Sequence, residues 1–251
     1  MKRPWIAVLA VAVAVSTTGA EAGRGGSHAE GCTVPRGSER VRLDPSEFTT
    51  RIDNPYWPMR PGSRWVYRET DAEGVKQRVV VTVTGTTKLI ANGVRARVVR
   101  DVVTEDGDPV EVTDDWYAQD RCGNVWYLGE ATKEYENGKV VSTEGSFEAG
   151  VDGAEAGVIV LAKPRKGMRY RQEHYAGEAE DRAEVFSLVE QVEVPFGHFR
   201  KGRVLMTKDM NPLSPRTLEY KFYVRGIGPV LAISVSGGND REELLRYSRG
   251  R

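Results

Sequence analysis

The chain has 251 residues, with 36 basic and 36 acidic side chains and a mean hydropathy of −0.46. A balanced charge excludes nucleic acid as a main partner, because phosphate contacts demand a net basic face. It excludes strong electrostatic capture by anionic lipid on the same ground, and the interspersed signs are those of a solvated surface.

The chain opens MKRPWIAVLAVAVAVSTTGAEAG. Lys2 and Arg3 precede an apolar run from Trp5 to about Val15, and Ala20-Glu21-Ala22 supplies small residues at a cleavage site. This pattern predicts a secretory signal peptide over residues 1–22. The run is shorter than the roughly 20 apolar residues a bilayer requires, and no other stretch comes close. A secreted protein is expected, extracellular or in the periplasm and cell envelope, with no membrane span in the mature chain. Residues 23–41 are polar, glycine-rich and aperiodic, and read as a flexible N-terminal arm. Glu30 in AEGC does not suit a lipidation box at Cys32. Cys32 and Cys122 are the two cysteines, and an exported compartment permits a disulfide between them. That bond closes a loop of about 90 residues and contributes about 4–5 kcal/mol in the chain-entropy model.

From residue 42 the pattern is that of one β domain. Asn54 to Tyr67, NPYWPMRPGSRWVY, packs four aromatics, three prolines and a glycine into a chain that is 8% aromatic. Arg78–Ile90 is rich in β-branched residues with a two-residue period, the signature of a strand. Asn92-Gly93, Asp106-Gly107, Cys122-Gly123-Asn124 and Asn137-Gly138 punctuate such runs as hairpin turns. Strands joined by tight turns at roughly ten-residue spacing predict an antiparallel meander. The tail Asn239–Tyr247 fits either a short helix or one last strand.

The second half echoes the first. Gly62-Ser63-Arg64-Trp65 matches Gly167-Met168-Arg169-Tyr170 at an offset of 105, and Gly93 falls over Gly197 at 104. Val112, Asp114, Trp116, Tyr117 and Ala118 fall over Leu218, Tyr220, Phe222, Tyr223 and Val224 at 106. Two copies of one unit are expected, over 61–130 and 166–234, with a glycine-rich rim segment over 131–165 and a tail over 235–251. A sheet that is apolar on one face must bury it. The predicted fold is therefore all-β: a duplicated antiparallel meander forming a barrel-like, half-barrel or two-sheet single domain.

The order NPYWPMRPGSRWVY, TDDWYAQDRCGNVWYLGE, GSFEAGVDGAEAG, YRQEHYAGEAED, FYVRGIGPV resembles a family of exported bacterial β proteins over about Leu43 to Leu244. The resemblance implies export and a β fold; the function of that family is not established. It also implies that the disulfide is a local addition, since the family rarely has cysteine at the position of Cys122. FYVRGIGPV resembles, more broadly, periplasmic and lipoprotein β-sheet domains, some of them half-barrels that hold a lipid or a protein.

The residues do not set up catalysis. His28, His174 and His198 stand apart, and no Gly-x-Ser-x-Gly, HExxH or Cys/His ligand spacing occurs. Asp114, Asp115, Asp120, Glu178, Glu180 and Asp181 could pair for carboxylate-based hydrolysis, or form a solvated face. The acidic turns at 104–108 and 150–155 lack the spacing of a calcium loop, so no metal and no cofactor is expected. The candidate ligand-binding residues are aromatic: Tyr56, Trp57, Trp65, Tyr67, Trp116 and Trp126. They point to a non-catalytic binder of a small apolar or amphipathic ligand or of an envelope partner protein, held in an apolar cavity between the copies. A purely structural module is the alternative. One expectation is directly measurable: the unreduced mature protein should weigh about 2 Da less than the reduced one, because a disulfide lacks two thiol hydrogens.

Overall fold

The computed structural model describes residues 33–71 and 73–251. Cys32 lies outside the described residues, and so does the Cys32–Cys122 pairing. After a short 3-10 turn at Pro45–Glu47 come β1 (Phe48–Thr49), β2 (Arg64–Thr70), β3 (Lys76–Leu89), β4 (Arg95–Glu105), β5 (Asp108–Asp120) and β6 (Val125–Glu136). The middle of the chain gives β7 (Lys139–Ser142), β8 (Phe147–Glu148) and β9 (Glu155–Val160). Then follow β10 (Arg169–Arg171), β11 (Glu173–His174), β12 (Arg182–Ser187), β13 (Val192–Val194) and β14 (Gly197–Phe199). The last four are β15 (Val204–Met210), β16 (Leu218–Val224), β17 (Gly228–Ser236) and β18 (Arg241–Ser248). No α-helix occurs among the described residues.

The strands form one antiparallel sheet in the order β10-β12-β15-β16-β17-β18-β2-β3-β4-β5-β6-β9-β11, with β1, β7 and β8 added at its margins. Its two ends nearly meet. Arg169–Arg171 pairs with β12, while Glu173–His174, one intervening residue on, pairs with β9. One continuous segment thus reaches both edges, and the sheet is a nearly closed barrel. β13 and β14 form a small second sheet.

Local chemistry explains the turns. Asp106-Gly107 and Asn137-Gly138 carry positive φ at both positions (53° and 99°, 51° and 72°), the geometry whose twist matches flanking strands. The turns before β2 and β10 share a hydrogen-bond pattern. Gly62 N–H donates to Val83 O and Gly167 N–H to Val185 O, while Ser63 N–H and Met168 N–H donate to the Arg60 and Arg165 carbonyls. The ambiguous tail is a strand: β18 lies between β17 and β2 and joins the two meanders.

One end of the barrel is capped by residues 52–59. Ile52 and Met59 form a β-bridge that closes the segment into a loop. Asn54, 1% exposed, organises it. Its Oδ1 accepts from the Tyr56 and Trp57 amides at 2.8 and 3.2 Å, and its Nδ2 donates to Gly123 O at 2.7 Å. On the other side Gly226 N–H donates to Pro55 O at 2.8 Å. The cap therefore grips the β5–β6 turn with one residue and the β16–β17 turn with the next. Asn54→Ala removes three buried hydrogen bonds and should cost about 2–4 kcal/mol, lowering Cm in urea at unchanged m. An unaltered Cm would show that the cap docks without them.

Candidate functional site

Residues directly opposite in a ladder point to the same face of the sheet, so register defines the barrel's interior. Glu242 stands opposite Glu69, and Glu69 opposite Gln77. Val81 stands opposite Asp101, Asp101 opposite Thr113, and Thr113 opposite Thr132. Asp115 lies opposite Glu130. In the other half Thr207, Lys221 and Ala232 share a row, and Asp209 faces Glu219. The inner face is thus rich in carboxylates where a dry core would be apolar.

These groups are enclosed and yet keep accessible surface. Glu69, Asp101, Glu111, Asp115, Glu130 and Glu242 are each partly accessible. Burial nevertheless is the leading cause that raises the pKa of every one of them. The register turns these six groups to the inner side of the sheet, so the surface they keep accessible lies there. Glu69 is pushed up to about 7 by burial and then by Asp240, Glu111 and Glu219. Asp101 is held well above the carboxylate range by burial, Asp115, Glu111 and Glu69. Glu242 is raised likewise by burial, Glu69 and Asp101. The carboxylates share one field of mutual repulsion.

The tightest cluster is built by a β-bulge. Asp115 and Tyr117 on β5 face Glu130 and Tyr127 on β6, two residues apart against three. Gly129 absorbs the extra residue at φ 125°, where an added Cβ would lie 2.2 Å from the Phe147 carbonyl oxygen. The bulge turns Tyr127 and Glu130 to one face despite their odd spacing. The Tyr127 hydroxyl then sits 2.9 Å from both Asp115 Oδ1 and Glu130 Oε2. A phenol has one hydrogen to donate. The second contact is a hydrogen bond only when one carboxyl carries a proton, so the trio stores a proton, and burial raises both acids.

The other half of the chamber is compensated. Lys221 Nζ lies 3.2 Å from Asp209 Oδ2 and 3.8 Å from Glu219 Oε1. Asp209 also accepts from Thr207 Oγ1 at 2.6 Å and Gln172 Nε2 at 3.1 Å. Burial works against the charge of Lys221, but Glu219 and Asp209 outweigh it and hold its pKa well above the ordinary lysine value. Six buried polar atoms find no partner among the described residues, and Asp101 Oδ1, Asp181 Oδ1 and the Tyr170 hydroxyl are three of them.

The aromatic candidates fall into three places. Trp65, 0% exposed, donates its Nε1–H to Ile227 O, and Tyr67 donates its hydroxyl to Pro229 O. Both lie on the inner face at its capped end. Trp57 wedges between Tyr117 and Tyr223, with ring centroids 5.6 and 6.2 Å away. Tyr56 lies under the Arg225 guanidinium at 4.6 Å and lines a separate cleft of about 730 Å³ with Val34 and Met168. Trp116 and Trp126 are on the outer face, the first covered by Lys88 at 3.6 Å, the second by Phe48 at 5.8 Å. Trp126 Nε1–H also donates to Asp120 Oδ2. The structure joins Trp57, Trp65 and Tyr67 at one end of the interior and leaves the other three apart.

Among the carboxylates singled out in sequence, Asp115 and Asp181 face inward. Asp114 is outside, paired with Arg100 at 2.7–2.8 Å, and Asp120 accepts from the Cys122 and Asn124 amides. Glu69, Asp101, Glu130 and Glu242 escaped notice. Only Glu69 carries a signal in its strand, falling in phase with Trp65 and Tyr67. The inner face is acidic along its middle and aromatic at its capped end.

No family model and no curated protein matches the chain. Among solved structures, a presumed lipoprotein from Parabacteroides distasonis is similar at a TM-score of 0.40 and 14% identity, covering 77% of this chain and 98% of that one.

The raised carboxyls fix a pH dependence. An acid with a folded pKa above its unfolded value binds more protons when folded, so its contribution to stability is complete below the unfolded pKa and is lost as pH rises through the folded one. Glu69, raised to about 7, places that loss around neutrality. The melting temperature should fall between pH about 6 and about 9, and Glu130→Gln should flatten the slope. A Tm that rises over this range would contradict the buried-acid chamber.

Proposed function

We propose that the protein is an exported, non-catalytic binding protein of the extracellular space or cell envelope, and that its ligand is a small amphipathic molecule housed inside the barrel. The observation that carries this reading is the interior itself. An enclosed face lined with uncompensated carboxylates beside a tyrosine and tryptophan end is costly to fold. A module with a purely structural role would fill the same space with apolar side chains at core density. Occupation by a ligand is what offsets such a cost, since anything that binds only the folded state stabilises it. Export is supported by the basic and apolar N-terminal segment. Kinship with the exported β family is supported by the quoted motifs, and duplication by the matching turns at Gly62 and Gly167. A Cys32–Cys122 bond would pin the N-terminal arm beside the cap, where Cys122 lines the same cleft as Tyr56.

Hydrolysis fits less well. It would need Asp115 and Glu130 free to meet a substrate, and both are tied to the single hydroxyl of Tyr127.

Ala232 faces the chamber opposite Lys221 and Glu242. Native mass spectrometry of the protein purified without denaturation should show an added small-molecule mass. Ala232→Trp, which fills the space, should abolish that mass while the protein stays folded. An adduct that survives in the variant would place the ligand elsewhere and sink the reading.

A further inference from the structure

The excess negative charge of the chamber is not evenly placed. Glu242, Glu69, Asp101, Asp115 and Glu130 lie on β18, β2, β4, β5 and β6, an arc of five strand spacings, or about 24 Å along the wall. Lys221 pairs with Asp209 and Glu219 and acts on Glu242 across Ala232, and among the described residues none of the five acids of the arc forms an ion pair. Among the described residues no three His, Cys, Asp or Glu converge closely enough to hold a metal ion. The charges are therefore spread too far for one small ion to neutralise. A buried group points independently to a missing partner: the Tyr170 hydroxyl, on a residue 1% exposed, has no hydrogen bond. Tyr170 stands opposite Ala183, and Ala183 opposite Asp209, so its ring lies on the inner face as well. Asp101 Oδ1 is buried and unpartnered within the arc. Beside the acids, Tyr117 and Tyr127 stack at 5.1 Å and offer an aromatic wall.

We propose that the chamber is a receptor for an extended organic amine, its several ammonium groups set against Glu69, Asp101, Asp115, Glu130 and Glu242 and its methylenes against Tyr117 and Tyr127. This rests on the reading of the barrel interior as a binding site and adds the class of ligand. Several separated charges on one flexible chain match a spread arc of carboxylates, and ammonium groups also favour the faces of aromatic rings. Amine binding expels the stored protons, because a cation favours the ionised form of each acid it meets. The groups that exchange these protons are the five acids of the arc with Glu111, and Glu173 and Asp181 beyond it. Lys221, Asp209 and Glu219 form an ion-paired set.

Isothermal titration of the mature protein with spermidine near pH about 7.5 should give saturable binding. The apparent heat should change with the ionisation enthalpy of the buffer, the mark of proton release. Asp115→Asn, Glu130→Gln and Asp101→Asn should each weaken binding about tenfold or more, as loss of a charged hydrogen bond does. Asp114→Asn, on the outer face, should leave it unchanged. Should the inward variants fail to fold, the buffer dependence on the unsubstituted protein still decides. Dodecanol is titrated in parallel as a neutral amphipath. Binding of dodecanol without spermidine overturns the amine and leaves the chamber as a binding site; binding of neither overturns both. Magnesium chloride binding as tightly as spermidine, or spermidine binding without proton release, also overturns the amine.

Discussion

The ladder between β18 and β2 is the seam on which the barrel depends. It joins the two meanders, and its register decides which side chains the interior receives. On the outer face Glu243 accepts from Arg68 and Arg241, each at 2.8 Å. On the inner face the next residue, Glu242, is set directly against Glu69. Like charges opposite each other destabilise a strand pair. The same seam is thus well matched outside and in conflict within, while Leu244, fully buried, and the Gly250 N–H bond to Ser63 Oγ lock its position. A one-residue slip of β18 would turn Glu243 and Arg241 to the inner face and part them from Arg68. Conflict held in place by good local pairing is where function is expected in a folded chain.

The strands and turns were legible because their causes are local. Asp106-Gly107 and Asn137-Gly138 adopt the left-handed pairs their residues favour, and the two-residue period of β3 needs no distant partner to be read. The tail was ambiguous for a converse reason. Its sequence REELLRYS is built of good helix formers, and its strand character comes from pairing with β2, far away in sequence. The chamber was illegible for the same kind of reason. Acids in alternation with aromatics look like a solvated face on a flat sheet. They become an interior only when the segment Arg169–His174 brings the two edges together, and no single strand announces that closure.

The aromatic cluster in NPYWPMRPGSRWVY shows how far composition leads. Its rings are candidate ligand-binding residues by composition, and its last four residues are the start of β2. The rest is governed by Asn54, whose side chain fixes the Tyr56 and Trp57 amides. Trp57 is directed inward between Tyr117 and Tyr223, two residues 106 positions apart. It therefore closes the chamber from below and touches both halves, a role no periodicity could have assigned. Trp116 and Trp126, equally conspicuous in sequence, serve the outer packing.

The same spacing of 106 relates Asp115 to Lys221. Both face inward one turn of the pleat from the tyrosines that hold Trp57, Asp115 from Tyr117 and Lys221 from Tyr223. One half of the frame carries an acid at this place and the other a base. The consequence is an electrostatic difference between the two runs of strands. Lys221 gathers Asp209 and Glu219 into a compensated set, whereas Asp115 meets Glu130 and must share a hydroxyl with it. Had both positions been basic, the interior would carry two fewer negative charges; had both been acidic, Asp209 and Glu219 would lack their cation as well. With one of each, ion-paired carboxylates gather at Lys221, and carboxylates without an ion pair run from β18 to β6.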